Sequence, residues 1–477
     1  MWTAIIIAFV LLVLIGRRLL LSHSLYVLNL RVPPPGSLLP SPETGEKIVI
    51  FAPHEDDETL GCAGYIQQAV SVGAKVRVVL ITNGEYPELT VVLFEETRPR
   101  GPDVFIKLGY MRQNETLNAM RYLGLPDSSV TFLGYPNQFI DRMWFPGNWL
   151  PGNPVNSIRT ESTTSPYSNS LTPGAVYCGE SLLGDVEKVL LQEQPDVVIT
   201  INPNDIHVDH WPTYAFVKFA LEELALRGEI FAEQCKVYTY LIHSTHWPVP
   251  RKYRPWMNLD PPAGLSKEGE TEWHALPLTL GQTLDKHKAT TMYRTQVGSI
   301  DPLLSSFART NELFGVIPTG TWPADSEVPS RVVMTDPEKD TDVTARRSAG
   351  DILQVNMARG NGRLTTEITT RQDPTAHIGF HLTIHAGGGG AADRIIAQYD
   401  WRGGEIEGYI LQRGLLQQIP PGDMKVTTLG DVMTLDTPWP MVDGLSQFFL
   451  VRAWTTFGRR LIDQTETMTL RIEAGGK

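Results

Sequence analysis

Cysteine is scarce in this chain of 477 residues, and basic residues nowhere form a run. The three cysteines, Cys62, Cys178 and Cys235, stand far apart without a C-x-x-C spacing, which argues against a disulfide framework and against a thiolate zinc cluster. The net charge of −12 is spread along the sequence, and no stretch of Lys and Arg could follow a phosphate backbone. We therefore expect no nucleic acid partner.

Uncharged apolar residues dominate one short N-terminal stretch, residues 2–15, which Arg17 and Arg18 follow. As a helix this stretch is about 21 Å long against a hydrocarbon core of about 30 Å, and snorkelling arginines would extend it. The arginines come after the apolar residues, which favours a retained transmembrane anchor at residues 1–22 over a cleaved signal peptide. The positive-inside rule then places the catalytic part in the cytoplasm, with a signal peptide and secretion as the alternative.

The first predicted domain spans 46–316 and follows a proline-rich linker at 23–45. Short apolar strands alternate with helices in this domain, as in the predicted strand at 48–52 and the predicted helices at 58–72 and 109–125. This alternation indicates an α/β fold: a Rossmann-like open parallel sheet with helices on both faces. Such a sheet binds its ligands at the carboxyl ends of its strands.

The second predicted domain spans 331–477, after a linker at 317–330 that is rich in proline and acidic residues. Its segments alternate apolar and polar residues, with turn residues between them. This pattern predicts an all-β sandwich, which we expect to have an accessory role.

The stretch FAPHEDDETLGCAGY, residues 51–65, places one histidine and several carboxylates directly after the first predicted strand. An exposed acidic turn that caps the next helix is one interpretation. Adjacent carboxylates repel each other unless a cation compensates them, however, so a bound metal ion is the sharper hypothesis. The strand at 196–201 supports it, because NPNDIHVDH at 202–210 places a second histidine-rich turn at the end of another parallel strand.

A three-ligand metal site follows if the two turns converge. His54, Asp57 and His210 would supply two imidazoles and one carboxylate, and would leave one position open for water, as catalytic zinc requires. Asp56 would then remain free beside that water and could take its proton. The same ligand types form the triad of non-haem Fe(II) oxygenases, but those enzymes carry the triad on antiparallel jelly-roll strands.

Three further residues of the second turn are candidates for supporting roles. His207 could donate a hydrogen bond to a developing oxyanion if it is protonated. Asp205 or Asp209 could orient the imidazole ligands from behind.

The stretches PHEDDETLGC and DIHVDH resemble the PIG-L (LmbE-like) family of zinc-dependent N-deacetylases, whose pattern is A/P-H-P-D-D-E with a later H-x-D-H. The resemblance extends through TNGE, RQNETLNAMRYLGL, FLGYPN, YLIH, KHKATTMYRTQ and NELF, which lie between residues 82 and 314. Glu55 and Val208 stand where the family commonly has proline. Neither position is a ligand, so this departure concerns the stiffness of the loops.

The resemblance implies removal of an acetyl group from an N-acetylated amino sugar, commonly N-acetylglucosamine within a larger glycoconjugate. By position it implies one Zn²⁺ per chain on His54, Asp57 and His210, with Fe²⁺ or another divalent ion as the alternative. It implies that Asp56 is the general base and that His207 is the acid or oxyanion stabiliser. These roles agree with those assigned from the residues themselves.

Three substrate contacts are expected. The resemblance implies that Arg112 and Asp141 bind sugar hydroxyls, although Arg112 could instead pair with Glu115 on the same helix. His243 ends a predicted strand and could line the site, with a structural role as the alternative. The expected protein is therefore a membrane-anchored zinc deacetylase of amino sugars. A noncatalytic carbohydrate-binding protein is the alternative, and the presence of Asp56 argues against it.

Overall fold

The computed structural model describes residues 37–86, 101–245, 247–265, 271–338 and 345–473. The predicted membrane anchor at 1–22 lies outside these residues, so the structure does not test it. None of the helices within the described ranges is long and apolar enough to span a membrane.

An eight-stranded sheet organises the first part of the chain. Its strands are β1 (Ser37–Leu38), β2 (Lys47–Ala52), β3 (Lys75–Thr82), β4 (Val130–Tyr135), β5 (Val197–Ile201), β6 (Lys236–Tyr240), β7 (Glu272–Pro277) and β8 (Asn311–Val316). They lie in the order β1-β7-β8-β6-β5-β2-β3-β4. Strands β2 to β6 pair in parallel, whereas β8 runs antiparallel to β6 and β7.

The strand order contains a reversal that matters for function. From β2 the chain adds β3 and β4 on one side, and then crosses to add β5 and β6 on the other. The boundary between β2 and β5 is therefore a topological switch point, where open α/β sheets form their ligand crevice. The α/β fold class predicted from the sequence is confirmed.

Helices cover both faces of this sheet. They are α1 (Asp57–Val72), α2 (Pro102–Tyr122), α3 (Ile140–Trp144), α4 (Gly179–Glu193), α5 (His210–Leu226), α6 (Ile230–Gln234), α7 (Leu280–Thr290) and α8 (Arg294–Leu304). The helix predicted at 109–125 begins earlier than expected, because Pro102 fits the first turn of a helix and Gly101 takes the positive φ that precedes it.

The apolar run of β2 explains why two layers of helices form. Ile48 and Ile50 point into a core with α1, α2 and α7 on one face, while Val49 and Phe51 point into a core with α4 and α5 on the other. A strand buried on both faces needs a nearly continuous apolar sequence, which residues 48–52 provide.

Two further sheets form a β-sandwich. Its strands are β9 (Gly320–Pro323), β10 (Val328–Thr335), β11 (Ile352–Gly360), β12 (Arg363–Thr370), β13 (Ile378–Gly387), β14 (Ile395–Arg402), β15 (Glu405–Gln412), β16 (Leu415–Gln418), β17 (Lys425–Leu429), β18 (Val432–Pro438), β19 (Phe448–Phe457), β20 (Arg460–Gln464) and β21 (Met468–Glu473). One sheet has the order β10-β11-β12-β18-β17; the other has β16-β15-β14-β13-β19-β21-β9, with β20 beside β19. The inner faces of both sheets share one apolar core.

The β-sandwich is joined to the α/β part by a continuous core. Ile396, Leu411, Phe448 and Leu450 of the sandwich belong to the same buried cluster as α4 and α5. Phe448 packs 5.0 Å from Phe219 of α5, measured between ring centroids. The two parts therefore share one buried apolar cluster.

Candidate active site

The two histidine-containing turns meet at the switch point. His54 follows β2, and α1 begins three residues later at Asp57; the second turn follows β5 and ends where α5 begins, at His210. Because β2 and β5 are neighbours in parallel, their carboxyl ends lie at the same edge of the sheet. The oxygenase alternative expects antiparallel jelly-roll strands, which is not the arrangement of these two strands.

Three candidate ligand atoms from these turns lie close to one another. His54 Nδ1 lies 3.2 Å from Asp57 Oδ2, His210 Nε2 lies 3.3 Å from the same oxygen, and the two ring nitrogens are 3.0 Å apart. All three residues are buried, with exposures of 7, 2 and 0 per cent. A tetrahedral Zn²⁺ with ligands at about 2.0–2.2 Å holds them roughly 3.3–3.5 Å apart, so this donor set fits such an ion closely.

Each histidine has a carboxylate on its far nitrogen. His54 Nε2 lies 3.0 Å from Asp209 Oδ2, and His210 Nδ1 lies 3.0 Å from Asp205 Oδ2. A carboxylate behind a histidine fixes the ring and its tautomer, which is the usual arrangement around metal ligands. The sequence left open which aspartate does this; the structure places one on each ring.

The site carries more negative charge than its own side chains neutralise. Burial alone would lower the pKa of His54, but hydrogen bonds with Asp209 and Asp57 outweigh it and raise that pKa to about 9. Burial likewise opposes protonation of His210, yet Asp205 and Asp57 raise its pKa to about 10. The electrostatics thus favour a positive charge among these groups, and a divalent cation would supply it.

Asp56 stands beside the three ligand atoms without being one of them. Its backbone has a φ of 115°, a conformation that L residues rarely adopt and that marks local strain. Burial, reinforced by the charge of Asp57, raises the pKa of Asp56 to about 8. Asp56 is 6 per cent exposed, and its side chain makes no capping hydrogen bond to α1. The exposed capping turn that the sequence offered as an alternative is therefore wrong.

Arg112 of α2 makes hydrogen bonds that hold the turn containing His54. Its Nη1 donates to the Gly84 carbonyl at 2.8 Å and its Nη2 to the Glu55 carbonyl at 2.5 Å. Nη2 also lies 3.8 Å from Asp56 Oδ1. Glu115, the partner offered for Arg112 from the sequence, accepts hydrogen bonds from Thr295 instead.

Glu55 has a larger part than its sequence position suggested. The sequence indicated that this position concerns only loop stiffness, but the side chain is fully buried and its Oε2 lies 3.5 Å from Arg112 Nε. Burial raises the pKa of Glu55 to about 8, while the Arg112 charge opposes the shift. The residue that stands where the family commonly has proline therefore adds a buried carboxyl group next to Asp56, the candidate base.

His207 and His243 lie on the open side of the site. Burial and the neighbouring rings of His210 and His54 lower the pKa of His207 well below its usual range, so this ring is neutral. Its Nδ1 lies 3.2 Å from the backbone nitrogen of Asp209, and its Nε2 lies 2.9 Å from the side-chain nitrogen of Gln138. His243 stacks 5.5 Å from His207, and burial lowers its pKa also.

A pocket of about 190 Å³ opens over these groups. Its lining contains the two catalytic candidates, two of the three candidate ligands, Arg112 and His243 among others: His54, Asp56, Asp57, Leu60, Tyr86, Arg112, Asn137, Gln138, His207, Ile242, His243, Gln296, Leu303 and Leu304. The third candidate ligand, His210, lies buried behind this lining. A larger groove of about 620 Å³ lies beside Lys47, Asp196 and Lys236, at the amino ends of the strands. Ligands of open parallel sheets bind at the carboxyl ends, so the smaller pocket is the candidate site.

Some pocket residues were missed from the sequence, and one candidate lies elsewhere. Asn137 and Gln138 follow the end of β4, and the rule used for His54 would have found them. Asp141 does not line the pocket, and its Oδ1 accepts the Arg142 backbone N–H at 2.7 Å. A contact of Asp141 with substrate would therefore require a ligand that extends beyond the pocket.

Comparison with known families agrees with this geometry. Residues 49–221 match the family model described as PIG-L, GlcNAc-PI de-N-acetylase. These residues form a PIG-L domain. The matched segment includes both ligand turns, so the family predicted from the sequence is confirmed, and with it the enzyme class of hydrolytic N-deacetylases. No curated protein sequence gives a significant match to the chain.

Several solved structures are similar in part. The A40926 pseudoaglycone deacetylase Dbv21 is 17% identical, with coverage of 57% of this chain and 96% of that one and a TM-score of 0.35. The N,N'-diacetylchitobiose deacetylase from Pyrococcus horikoshii is 18% identical, with coverage of 57% and 84% and a TM-score of 0.35. GalB, the 4-carboxy-2-hydroxymuconate hydratase from Pseudomonas putida, is 15% identical, with coverage of 58% and 98% and a TM-score of 0.35.

Proposed function

We propose that this protein is a zinc-dependent hydrolase that removes the acetyl group from an N-acetylated amino sugar of the N-acetylglucosamine type, carried in a glycoconjugate. The observation that carries the proposal is the cluster of His54 Nδ1, Asp57 Oδ2 and His210 Nε2 within 3.0–3.3 Å, with the unligated Asp56 beside it. This cluster lies in a PIG-L domain, whose family is described by de-N-acetylation.

The proposed ligands of the ion are His54, Asp57 and His210. Two neutral imidazoles and a carboxylate suit Zn²⁺, with Fe²⁺ or another divalent ion as the alternative. A divalent ion bound there would supply Lewis-acid chemistry, lowering the pKa of a water molecule and polarising a carbonyl group. Asp205 and Asp209 would hold the two rings in the orientation that this requires.

Asp56 is the proposed general base. Its carboxylate accepts a proton from the attacking water and then returns that proton to the nitrogen of the leaving amine. The Asp56 backbone N–H donates to Glu58 Oε2 at 3.1 Å, and Arg112 holds the preceding carbonyl, so the turn is fixed on both sides. A fixed carboxylate needs little reorganisation as the proton moves.

His207 is the proposed donor to the acetyl oxygen. His207 lines the pocket, and a ring N–H directed into it would stabilise negative charge as it develops on that oxygen. This is the role of oxyanion stabiliser that the family resemblance implies for His207. We propose that Arg112 and His243 bind sugar hydroxyls in the pocket. Asp141 would bind a hydroxyl of a substrate long enough to extend beyond the pocket.

The size of the pocket indicates how much of a substrate it takes. Pockets for drug-sized ligands occupy roughly 300–1,000 Å³. A pocket of about 190 Å³ therefore admits the N-acetyl end of one sugar unit and leaves the rest of a conjugate outside. We further propose that the N-terminal segment anchors the enzyme to a membrane with the catalytic part in the cytoplasm.

The test is release of acetate from a panel of N-acetyl amino sugars and their conjugates, before and after treatment with a chelator. The proposal expects acetate release from N-acetyl amino sugars or their conjugates. This release should stop when a chelator removes the metal and should return when Zn²⁺ is added back. Binding of the sugars without release of acetate would instead identify a noncatalytic carbohydrate-binding protein. Metal-independent release would remove the proposed ligand set.

A further inference from the structure

A buried polar chain connects the β-sandwich to the turn that carries His210. On strand β19, Arg452 Nη2 donates to Oε1 of Gln464, the last residue of β20. Gln464 Nε2 in turn donates to the backbone carbonyl of Asp205 at 3.1 Å. Arg452 and Gln464 are 2 and 8 per cent exposed, so this chain runs through the interior.

Asp205 in turn contacts His210, one of the candidate metal ligands. Its Oδ2 lies 3.0 Å from His210 Nδ1 and accepts the backbone N–H groups of Ile242 and His243 at 3.1 and 2.8 Å. Its Oδ1 accepts the backbone N–H of His207 at 3.0 Å. The position of Asp205 thus sets the position of a candidate ligand and of both pocket histidines.

Two more contacts from the sandwich hold the same turn. Glu466 Oε2 accepts from Asn204 Nδ2 at 3.3 Å, one residue before Asp205. The Arg452 guanidinium lies 4.0 Å from the ring centroid of Trp211, one residue after His210, in a cation–π contact. The turn is therefore held from the sandwich at its beginning, at its middle and at its end.

The β-sandwich also contacts helix α5 farther along its length. Phe448 of the sandwich contacts Phe219, and Arg471 pairs with Glu222 at 2.8 Å. Arg394 binds both carboxylate oxygens of Glu223. The position of the helix that begins at His210 therefore depends on the β-sandwich. Residues of β19 and β20 help to fix its first turn.

We infer that the β-sandwich is part of the metal site's framework, and that Gln464, supported by Arg452, is a positioning residue for His210. The inference rests on the proposed function, because it concerns that site's ligands. It replaces the accessory role expected from the sequence: in this arrangement the sandwich acts on metal affinity and turnover through Asp205. Gln464 touches neither metal nor substrate.

The test uses the full-length chain loaded with Co²⁺, whose visible absorption bands report coordination geometry. Gln464→Met keeps the length of the side chain but removes the amide that donates to Asp205. We expect about fivefold weaker Co²⁺ affinity, which is less than the roughly 10–100-fold loss for a direct partner of a ligand. We also expect altered bands, and a lower kcat with an unchanged KM.

Arg471→Met provides the matched control. Arg471 also binds α5 from the sandwich, but its partner Glu222 lies twelve residues beyond His210, about 18 Å along the helix. This variant should lower the melting temperature and leave Co²⁺ affinity and the bands unchanged. If Gln464→Met does not fold, Gln464→Asn, whose amide is one methylene short of Asp205, should show the same loss.

The outcomes separate this inference from the proposed function. Unchanged Co²⁺ affinity and bands in a folded Gln464 variant, or an equal loss in Arg471→Met, overturns the inference while leaving the ligand set in place. A wild-type chain that binds Co²⁺ but releases no acetate removes the proposed reaction, yet the Gln464 comparison still applies. A wild-type chain that binds no divalent ion removes both.

Discussion

His54 Nδ1 and His210 Nε2 lie 3.0 Å apart, although 156 positions separate the two residues in the sequence. Each ring has an aspartate at its far nitrogen: Asp209 for His54 and Asp205 for His210. The two rings meet because the strands that precede them, β2 and β5, are neighbours in the sheet. Two strands, two helix starts and two buried aspartates together produce one pair of opposed nitrogens. That convergence is the basis of the predictions below.

Replacing the proposed base should separate metal binding from turnover. Asp56→Ala leaves His54, Asp57 and His210 unchanged, so we expect a full complement of bound metal. Acetate release should fall by about 10² or more, which is the usual contribution of a general base. Metal content and acetate release are measured on the same sample. Turnover at the wild-type rate would show that another group takes the proton.

Replacing a ligand should remove the metal and the stability that it gives. Because an ion that binds only the folded state stabilises it, Zn²⁺ at 100 times its Kd adds about 2.7 kcal/mol to the free energy of unfolding. We expect the wild type to melt higher with Zn²⁺ and His210→Ala to show no such shift. His377→Ala, which changes an exposed histidine of the sandwich, should behave like the wild type. A Zn²⁺ shift retained by His210→Ala would contradict the ligand set.

Arg112 donates to two backbone carbonyls through two different nitrogens, so replacing it with lysine should lower the stability of the protein. Two different guanidinium nitrogens donate to the carbonyls of Gly84 and Glu55, and the shorter lysine has a single nitrogen, so we expect a buried acceptor to lose its partner. We expect Arg112→Lys to lower the free energy of unfolding by about 2 kcal/mol, measured by urea titration. Arg121→Lys, on the exposed face of the same helix, should leave it nearly unchanged, because an exposed ion pair contributes little to stability. Equal effects at both positions would remove the structural role given to Arg112.

Asp463 should give stability a distinct pH dependence. Burial raises the pKa of this carboxyl to about 7 from an ordinary value of 3.8, so between these values the folded state binds the proton and the unfolded state does not. The contribution of Asp463 to stability therefore falls as pH rises from about 4 to about 7, by up to about 1.4 kcal/mol per unit. Asp463→Asn cannot ionise, and its melting temperature relative to wild type should rise over this range. A constant difference from pH 4 to pH 7 would contradict the shift.

Much of the candidate site could be predicted because it depends on a local rule applied twice. An apolar run of strand length followed at once by His and Asp places those side chains at the end of a buried parallel strand. Residues 48–57 and 197–210 both follow this rule, and neighbouring parallel strands end at the same edge. The α/β fold class came from the same alternation of strands and helices.

Other features could not be read from the sequence, because they depend on which surfaces meet. Glu55 looked like a substitution that affects only the stiffness of a loop, yet its side chain is fully buried against Arg112 of α2. Glu115, three positions along the same helix, was one possible partner of Arg112, but the guanidinium donates to the backbone carbonyls of Gly84 and Glu55. Long charged side chains reach many partners, and only packing selects among them.

The sequence by itself determined the elements and the chemistry: buried strands from apolar runs, and a cation-binding donor set from histidine and aspartate at strand ends. Tertiary structure alone decided that the β-sandwich packs on α5, and that Gln464 reaches the carbonyl of Asp205. The physical reason is one of range. Periodicity and strand ends act over a few residues, whereas a hydrogen bond between positions 259 apart exists only once two separately patterned surfaces have excluded water between them.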